Sequence, residues 1–377
     1  MSAKGSPFKV PLSEPDVTEP EIQAVVDVLR TPELSFGPKL PAFENAIARY
    51  VGARHAVATS SGTAALHLCV RGLCLSSGDE VLTTPFSFIA SANALIYEGV
   101  RPVFVDIDPV SLNIDPERLE SAVTPRTRAV LAVHVFGRPS PMDAIGELAR
   151  RHGLRVIEDA CEAIGGEYAG RRLGTLGDAG TFAFYPNKQI TTGEGGAVVT
   201  DDPDLARMFA TLRNQGREPG SVSGHAQLGY NYRLGEMPCA LGLAQLGRLE
   251  AILARRAVIA QRYDERLAGL ECLIRPALQV QHARLSWFVY VVRLVDEVPA
   301  GKRDRIAQGL LSSGIGCGQY FSPIHLQPFY REQFGYRPGD FPVTERVAQR
   351  TLALPFFNRI TDAQIDTVCD TLIDLCG

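Results

Sequence analysis

The sequence has very little lysine. Among its 377 residues, lysine occurs only at positions 4, 9, 39, 188 and 302, while arginine is abundant. Four of these lysines lie near a terminus or among polar residues, as expected of a solvated charge. Lys188 differs, because it lies between the apolar run 182–185 and the glycine-rich turn 193–196. Desolvation there would favour the neutral, nucleophilic amine that Schiff-base chemistry requires, although an exposed loop lysine fits this segment alone equally well.

Other absences narrow the class of protein. The cysteines include no Cys-x-x-Cys pair, so we expect neither a metal site nor a redox motif. The net charge of -4 gives no electrostatic basis for binding nucleic acid or an anionic membrane. No segment reaches the roughly 18 consecutive apolar residues that span a bilayer. These features predict a cytoplasmic protein with reduced thiols.

The pattern of apolar residues predicts an α/β protein. Short strand-like runs alternate with helical patterns, and this alternation predicts a mostly parallel sheet covered on both faces. The strand-like runs lie at 55–59, 80–84, 102–106, 129–135 and 155–158, and the helical patterns between them at 63–72, 88–97, 116–123 and 142–151.

The chain is too long for one small core, so a second lobe is expected. A helical stretch at 236–270 is interpreted as the bridge between a large domain, residues 1–248, and a smaller α+β domain, residues 249–377. The smaller domain is expected to contain a strand at 287–295 and helices at 302–312, 344–351 and 361–375.

Small residues mark the junction between the first predicted strand and the following helix. Gly62 and Thr63 lie there, where backbone amides and the Thr63 hydroxyl can approach an anion. The helix dipole favours negative charge at the same point. The alternative is an ordinary Ser/Thr helix cap.

Two further segments carry side chains suited to an aromatic ligand. Phe88 follows the second predicted strand and has a flat face on which a ring can stack, although core aromatics are commoner. Glu158, Asp159 and Glu162 lie at the carboxyl end of a predicted strand, where ligands of α/β sheets bind. A carboxylate there can hold a heteroaromatic nitrogen protonated. The pattern does not identify which of the three would do so, and a solvated acidic turn is the alternative.

Asn231 and Arg233 form a polar pair before the bridging helix, and a capped loop is the simplest interpretation of this pair alone. The order of all these features is more specific than any one of them. The chain resembles the fold-type-I pyridoxal-phosphate (PLP) enzymes, specifically the DegT/DnrJ/StrS family of sugar aminotransferases. The resemblance covers nearly the whole chain and is carried by Ser61-Gly-Thr-Ala-Ala-Leu66, Ile157-Glu-Asp-Ala160 and Asn187-Lys-Gln-Ile-Thr-Thr-Gly-Glu-Gly-Gly196.

The resemblance implies a role for each matching residue. Lys188 would bind PLP covalently and move a proton during the reaction. Asp159 would pair with the pyridinium nitrogen and keep the ring an electron sink. Gly62 and Thr63 would hold the phosphate, and Phe88 would stack on the ring.

Three further positions follow from the same resemblance. Asn231 matches an asparagine that reaches the phosphate of the neighbouring subunit, which implies a homodimer with composite active sites. Glu162 lies where many members carry Gln or His near the phenolic oxygen of PLP. A carboxylate there would have to be protonated or bridged by water to avoid like-charge repulsion. Many members also carry Ser where this chain has Ala183, so one phosphate contact is expected to be lost.

The resemblance also implies the substrates. Glutamate is the expected amino donor, and a nucleotide-linked keto-sugar is the expected acceptor. Residues 320–325 are similar to perosamine-type enzymes, which act on a 4-keto-6-deoxyhexose. The candidates for binding the sugar nucleotide are Arg213, Arg217, Arg233 and His325, and ordinary surface arginines are the alternative.

Two other functions remain open. Cyclitol (ketoinositol) aminotransferases share every cofactor motif. A non-catalytic regulatory protein on the same fold is the other possibility, although the presence of Lys188, Asp159 and Thr63 disfavours it. The 3-dehydratases of the family carry His in place of the lysine, so Lys188 argues against that activity.

Overall fold

The described residues form a seven-stranded sheet, a three-stranded sheet in the small lobe, and a third sheet of two-residue strands. The computed structural model describes residues 8–220, 223–299 and 301–377. Its strands are β1 (His55–Thr59), β2 (Glu80–Thr83), β3 (Arg101–Phe104), β4 (Thr127–Val133), β5 (Arg155–Asp159), β6 (Glu167–Tyr168), β7 (Arg171–Arg172), β8 (Ala179–Ala183), β9 (Gly196–Thr200), β10 (Leu273–Ile274), β11 (Ala283–Arg284), β12 (Tyr290–Leu294) and β13 (Thr351–Leu354). The third sheet has the strand order β11-β6-β7.

Helices lie between most of these strands. They are α1 (Glu19–Leu29), α2 (Lys39–Val51), α3 (Gly62–Gly72), α4 (Ala90–Ile96), α5 (Pro116–Ala122), α6 (Met142–His152), α7 (Pro203–Arg213), α8 (Glu236–Gly247), α9 (Leu249–Arg266), α10 (Lys302–Ser312), α11 (Pro328–Phe334), α12 (Pro342–Ala348) and α13 (Asp362–Cys376). Among the described residues, none of these helices combines the length and the apolar character needed to cross a membrane.

The larger sheet has the strand order β1-β9-β8-β5-β4-β2-β3. Strand β9 runs antiparallel to both of its neighbours, and the other neighbouring pairs are parallel. The predicted α/β class with a mostly parallel sheet is therefore confirmed. The carboxyl ends of the parallel strands meet at one edge of the sheet, which is where such folds bind ligands.

Both faces of the larger sheet are buried. Consecutive residues of a strand point to opposite faces, so neighbouring residues of one strand pack in different clusters. Leu131 of β4 packs in the cluster that contains Leu68 of α3. Its neighbour Val130 packs in the cluster that contains Ile145 of α6. Covering both faces with helices requires the continuous apolar runs from which the strands were predicted.

The smaller sheet is antiparallel and has the order β10-β12-β13. Helices α9, α10 and α13 pack against it and share one core, to which they contribute Tyr263, Leu310 and Val368. Val10 belongs to the same core and forms a bridge with Ile315. The N-terminal arm therefore packs on the small lobe, although about 300 residues separate Val10 from Ile315 in the sequence.

Two predictions for the small lobe were wrong at their edges. The helix expected at 344–351 ends at Ala348, and the residues Thr351–Leu354 pair with β12 instead. Four residues with small and apolar side chains fit a helix or a buried strand equally well. The strand expected at 287–295 begins only at Tyr290, which leaves the preceding aromatic residues free to reach the large lobe.

The predicted bridge at 236–270 is interrupted. Helix α8 ends at Gly247 and α9 begins at Leu249, and the Arg248 guanidinium between them forms ion pairs with Asp16 and Glu21. The break coincides with the predicted division into domains 1–248 and 249–377. The division into two domains stays a prediction. Strand β11 of the second predicted domain pairs with β6 of the first, so the two predicted domains share a sheet. Residues 1–7 of the first domain lie outside the described part of the chain.

Candidate active site

A cavity of about 510 Å³ lies at the carboxyl edge of the larger sheet. Val133, Asp159 and Ala183, which end three parallel strands, lie in its wall. The wall also brings together six residues that the sequence singled out: Gly62, Thr63, Phe88, Asp159, Glu162 and Lys188. These residues come from separate segments of the chain, so the topology of the sheet, and not their sequence spacing, makes them neighbours.

Lys188 presents its amine to the interior of the cavity. Its side chain is only 13% exposed, and Nζ lies 3.5 Å from Oε1 of Glu162. On another side, Nζ lies 4.0 Å from the ring centroid of Phe288. The Lys188 backbone N–H donates to the carbonyl of Tyr185 at 2.9 Å, which holds the loop in a turn. The amine is therefore placed between one carboxyl group and one aromatic face, away from bulk water.

The three carboxylates of the strand-end segment have different surroundings. Glu158 is fully buried and accepts hydrogen bonds from the backbone N–H groups of Gly174 and Gly177, at 2.8 and 2.7 Å. These contacts fix a loop and use the carboxylate structurally. Asp159 instead lies in the cavity wall, where its Oδ2 accepts from the Ser91 hydroxyl at 2.6 Å. The structure thus separates two residues that the pattern left equivalent.

The two carboxyl oxygens of Glu162 have different neighbours. Its Oε2 accepts from the backbone N–H of Phe136 at 2.9 Å, and its Oε1 faces the Lys188 amine. Burial raises the pKa of Glu162, while the Lys188 amine and the Phe136 N–H partly oppose the rise. A carboxyl group with a raised pKa, whose second oxygen faces the cavity beside the Lys188 amine, can donate a proton to a ligand atom there.

The small residues before α3 form a tight turn. The Ser61 hydroxyl accepts from the backbone N–H of Ala64 at 3.1 Å and caps the helix. A Cβ added at Gly62 would lie 2.6 Å from Cβ of Ala183, so only glycine fits there without displacement. The cap leaves the first N–H groups of α3 directed at the cavity end of the helix, where an anion would be favoured.

None of the four candidates for binding the sugar nucleotide lies in the cavity wall of the described chain. Arg213 is buried, pairs with Glu44 and donates to the carbonyl of Ala58 at 2.8 Å. His325 is also buried, and its Nε2 lies 3.0 Å from Oε1 of Glu345. Burial lowers the pKa of His325. Arg213 and His325 are thus engaged inside their own chain, and their assignment as substrate ligands finds no support in this geometry.

Arg217, Arg233 and Asn231 lie outside the cavity wall as well. Arg217 is half-buried, and Arg233 donates to the side-chain oxygen of Asn214 at 3.1 Å. Asn231 is exposed, and its backbone forms a bridge with Asn214. Their predicted roles would need a ligand or a second chain to approach from outside, and they stay predictions.

Two residues of the site escaped the sequence reasoning. Ser91 falls three residues after Phe88 in a predicted helix. Helical spacing places both residues on one face, and this was the signal from which Ser91 could have been identified. Phe288 gave no such signal, because it lies in an apolar run of the small lobe and carries no polar group. Its ring reaches Lys188 only because the small lobe packs against the mouth of the sheet.

The comparisons with known proteins agree on one family. The sequence profile of the DegT/DnrJ/EryC1/StrS aminotransferase family matches residues 15–373. The chain is similar to the spore coat polysaccharide biosynthesis protein SpsC of Bacillus subtilis, with 40% identity over 378 residues and 97% of each chain covered. It is also similar to the GDP-perosamine synthase of Caulobacter vibrioides, with 40% identity over 339 residues and 90% of each chain covered.

Solved structures lead to the same result. A Streptococcus pneumoniae protein in its PLP form superposes with a TM-score of 0.92 at 27% identity, covering 98% of this chain and 99% of that chain. Aminotransferases of the matched family use PLP, in keeping with a lysine and a carboxylate in one cavity. The chain therefore belongs to the DegT/DnrJ/EryC1/StrS aminotransferase family, and it is a PLP-dependent sugar aminotransferase.

Proposed function

We propose that the protein transfers the amino group of glutamate to a nucleotide-linked 4-keto-6-deoxyhexose, with Lys188 as the amine that binds PLP and moves the proton. The placement of the Lys188 amine in one cavity with Asp159 and Glu162 carries this proposal. The 40% identity to a GDP-perosamine synthase supports the class of acceptor. The nucleotide and the exact sugar are left open.

The donor set of the cavity fits PLP. Bound PLP supplies an electron sink, which lets a proton leave and return at the carbon that carries nitrogen. Asp159 would hold the ring nitrogen protonated, and the Ser91 hydroxyl and the Cys161 N–H fix the orientation of its carboxylate. Gly62 and Thr63, at the start of α3, would hold the phosphate. Lys188 is placed to bind the aldehyde group.

Phe88 and Glu162 would contact the ring of PLP from different directions. Phe88 is 62% exposed although it lies in the cavity wall, so its ring has a free face on which a flat ligand can stack. Glu162 would donate a hydrogen bond to the phenolic oxygen through Oε1, which faces the cavity, because a buried carboxyl group with a raised pKa can carry the proton.

The charges of the cavity favour a homodimer with shared sites. Within the described residues, its wall contains three carboxyl groups (Asp159, Glu162 and Glu194), one amine (Lys188) and no arginine. The phosphate of PLP, the glutamate carboxylates and the sugar diphosphate would add negative charge that Lys188 alone does not balance. We infer that a second copy of the chain supplies polar groups, and that its exposed Asn231 reaches the phosphate.

A panel of acceptors tests the proposed substrate. The purified holoenzyme is incubated with ¹⁵N-glutamate and, separately, with several nucleotide-linked 4-keto-6-deoxyhexoses and keto-inositols, and the products are analysed by mass spectrometry. The proposal predicts ¹⁵N in an amino sugar and no labelled product from the keto-inositols. Label in an amino-inositol alone would establish the cyclitol alternative. A protein that stays colourless with added PLP and converts no acceptor would instead be the regulatory alternative.

Mixed dimers test the shared site. Asn231→Asp would place a carboxylate against the phosphate of PLP, and Lys188→Ala removes the covalent anchor, so each variant alone should be inactive. If Asn231 acts across the interface, a mixed dimer carries both defects in one site and none in the other. Random reassortment should then restore about a quarter of all sites. No recovery, once mass spectrometry confirms subunit exchange, would show that Asn231 does not act across the interface.

A further inference from the structure

Arg256 is a buried cation beside the catalytic lysine. It lies on α9 and is 3% exposed. Its Nη1 donates to the backbone carbonyls of Phe288 at 3.0 Å and Trp287 at 3.3 Å. Its Nη2 donates to the backbone carbonyl of Lys188 at 3.5 Å. One guanidinium therefore contacts the main chain of the Lys188 loop in the large lobe and that of the segment before β12 in the small lobe.

The surroundings of Arg256 make it expensive to bury. It forms no ion pair with any carboxylate of residues 8–220, 223–299 and 301–377, and its Nε has no hydrogen-bond partner among them. Burial lowers its pKa to about 10, so the guanidinium is still charged at neutral pH. A buried cation without a carboxylate partner lowers the stability of the folded protein. The ring of Phe356, 5.4 Å from the guanidinium carbon, offsets only part of this cost.

An apolar side chain of similar length would fill this position at lower cost, so stability alone does not account for the arginine. Its contacts suggest another role. The Phe288 ring that contacts the Lys188 amine belongs to a residue whose carbonyl Arg256 binds. We propose that Arg256 is a positioning residue, which clamps the main chains of Lys188 and Phe288 together and so fixes the Lys188 amine against the Phe288 ring. This proposal rests on the role assigned to Lys188 in the proposed function.

The clamp should affect covalent capture of PLP more than its non-covalent binding. PLP must react with the Lys188 amine, whereas pyridoxamine phosphate occupies the same contacts without a bond to Lys188. A displacement of about 1 Å at a reacting group can cost about 100-fold in rate. In Arg256→Met apoenzyme we expect the rate constant for covalent capture of PLP to fall at least about tenfold. The affinity for pyridoxamine phosphate should change by less than about threefold, because the phosphate turn and Asp159 are untouched.

The chain offers a matched control on the same helix. Arg255 also donates to backbone carbonyls, those of Asn358 at 3.4 Å and Ile360 at 2.8 Å, but it contacts neither Lys188 nor Phe288. Arg255→Met should therefore leave the capture rate of PLP at the wild-type value. Added guanidinium ions at millimolar concentration should partly restore capture in Arg256→Met and should have no such effect on Arg255→Met.

A second substitution covers the case in which Arg256→Met does not fold. Arg256→Lys keeps the positive charge but loses the planar guanidinium that binds both main-chain segments. Its capture rate should therefore lie between those of wild type and Arg256→Met. Wild-type capture rates in both Arg256 variants, or capture and pyridoxamine phosphate affinity that fall together, would overturn the clamp. If wild-type protein captures PLP on another lysine, the proposed function fails instead, and the two failures are distinguishable.

Discussion

A single methyl group added at Gly196 should disturb both the stability of the protein and the turn proposed to hold the phosphate. It begins β9, between Thr59 of β1 and Ala183 of β8. A Cβ added there would lie 2.5 Å from the carbonyl oxygen of Ser61 and 2.7 Å from the backbone nitrogen of Gly62. Backbone atoms do not rotate out of the way as a side chain does, so the turn before α3 must shift.

Overpacking of this kind costs about 1–3 kcal/mol, so Gly196→Ala should lower the thermal unfolding midpoint of the apoenzyme. The displaced turn is also the proposed phosphate site. Loss of one hydrogen bond to a charged group is worth about 1.5–3 kcal/mol, which corresponds to about 10- to 100-fold weaker binding of pyridoxamine phosphate. Both quantities can be measured on the apoenzyme, by scanning calorimetry and by fluorescence titration.

The control is the same substitution at Gly146, in the middle of α6. A Cβ added there has no heavy atom within 4 Å, so Gly146→Ala should raise the free energy of unfolding by about 1 kcal/mol or less through helix propensity, and so raise the unfolding midpoint, while it leaves binding unchanged. The reasoning is refuted if the two alanine variants respond alike, or if Gly196→Ala binds pyridoxamine phosphate as the wild type does.

Two further predictions concern the carboxyl groups of the cavity. Asp159→Asn should still bind PLP but should slow both half-reactions by about 100-fold, or about 3 kcal/mol, because a neutral amide no longer holds the ring nitrogen protonated. Stopped-flow single turnovers measure this, and near-wild-type rates would remove Asp159 from its assigned role. Glu162→Gln should keep most of the activity, because an amide can accept from the Phe136 N–H and donate to the phenolic oxygen at once. A steady-state loss as deep as that of Lys188→Ala would show that Glu162 acts through proton transfer.

Much of the fold follows from local patterns. Helix α10 has the predicted bounds, because helical periodicity defines it. The small strand β13 could not be predicted, since Thr351–Leu354 become a strand only by pairing with β12. The two-residue strands β6, β7, β10 and β11 are too short to leave any periodic signal.

The residues of the site also fall into those that a local pattern indicates and those that depend on distant partners. The acidic segment at the end of β5 and the turn at Gly62 were predictable, because ligands of parallel sheets bind at strand ends and at the helix N-termini that follow them. The pattern alone did not single out Asp159 within that segment, and only the family resemblance did. Arg213 and His325 were selected by residue type, but their partners Glu44 and Glu345 come from distant segments that no local pattern connects to them. Arg256 was overlooked for a related reason. Its partners are backbone carbonyls, which every residue has and no sequence pattern distinguishes.

Lys188 is assigned as the lysine that binds PLP, and reductive trapping identifies that lysine without an activity assay. Borohydride reduction of the holoenzyme fixes the bound PLP on its lysine, and peptide mass spectrometry then identifies that lysine. Lysine is so scarce in this chain that the segment around Lys188 contains no other lysine between residues 40 and 301. The account predicts one PLP-modified peptide, which contains Lys188 and is missing from Lys188→Ala. A modification on Lys4, Lys9, Lys39 or Lys302 in the wild type, or no modification of a coloured holoenzyme, would show that Lys188 does not bind PLP.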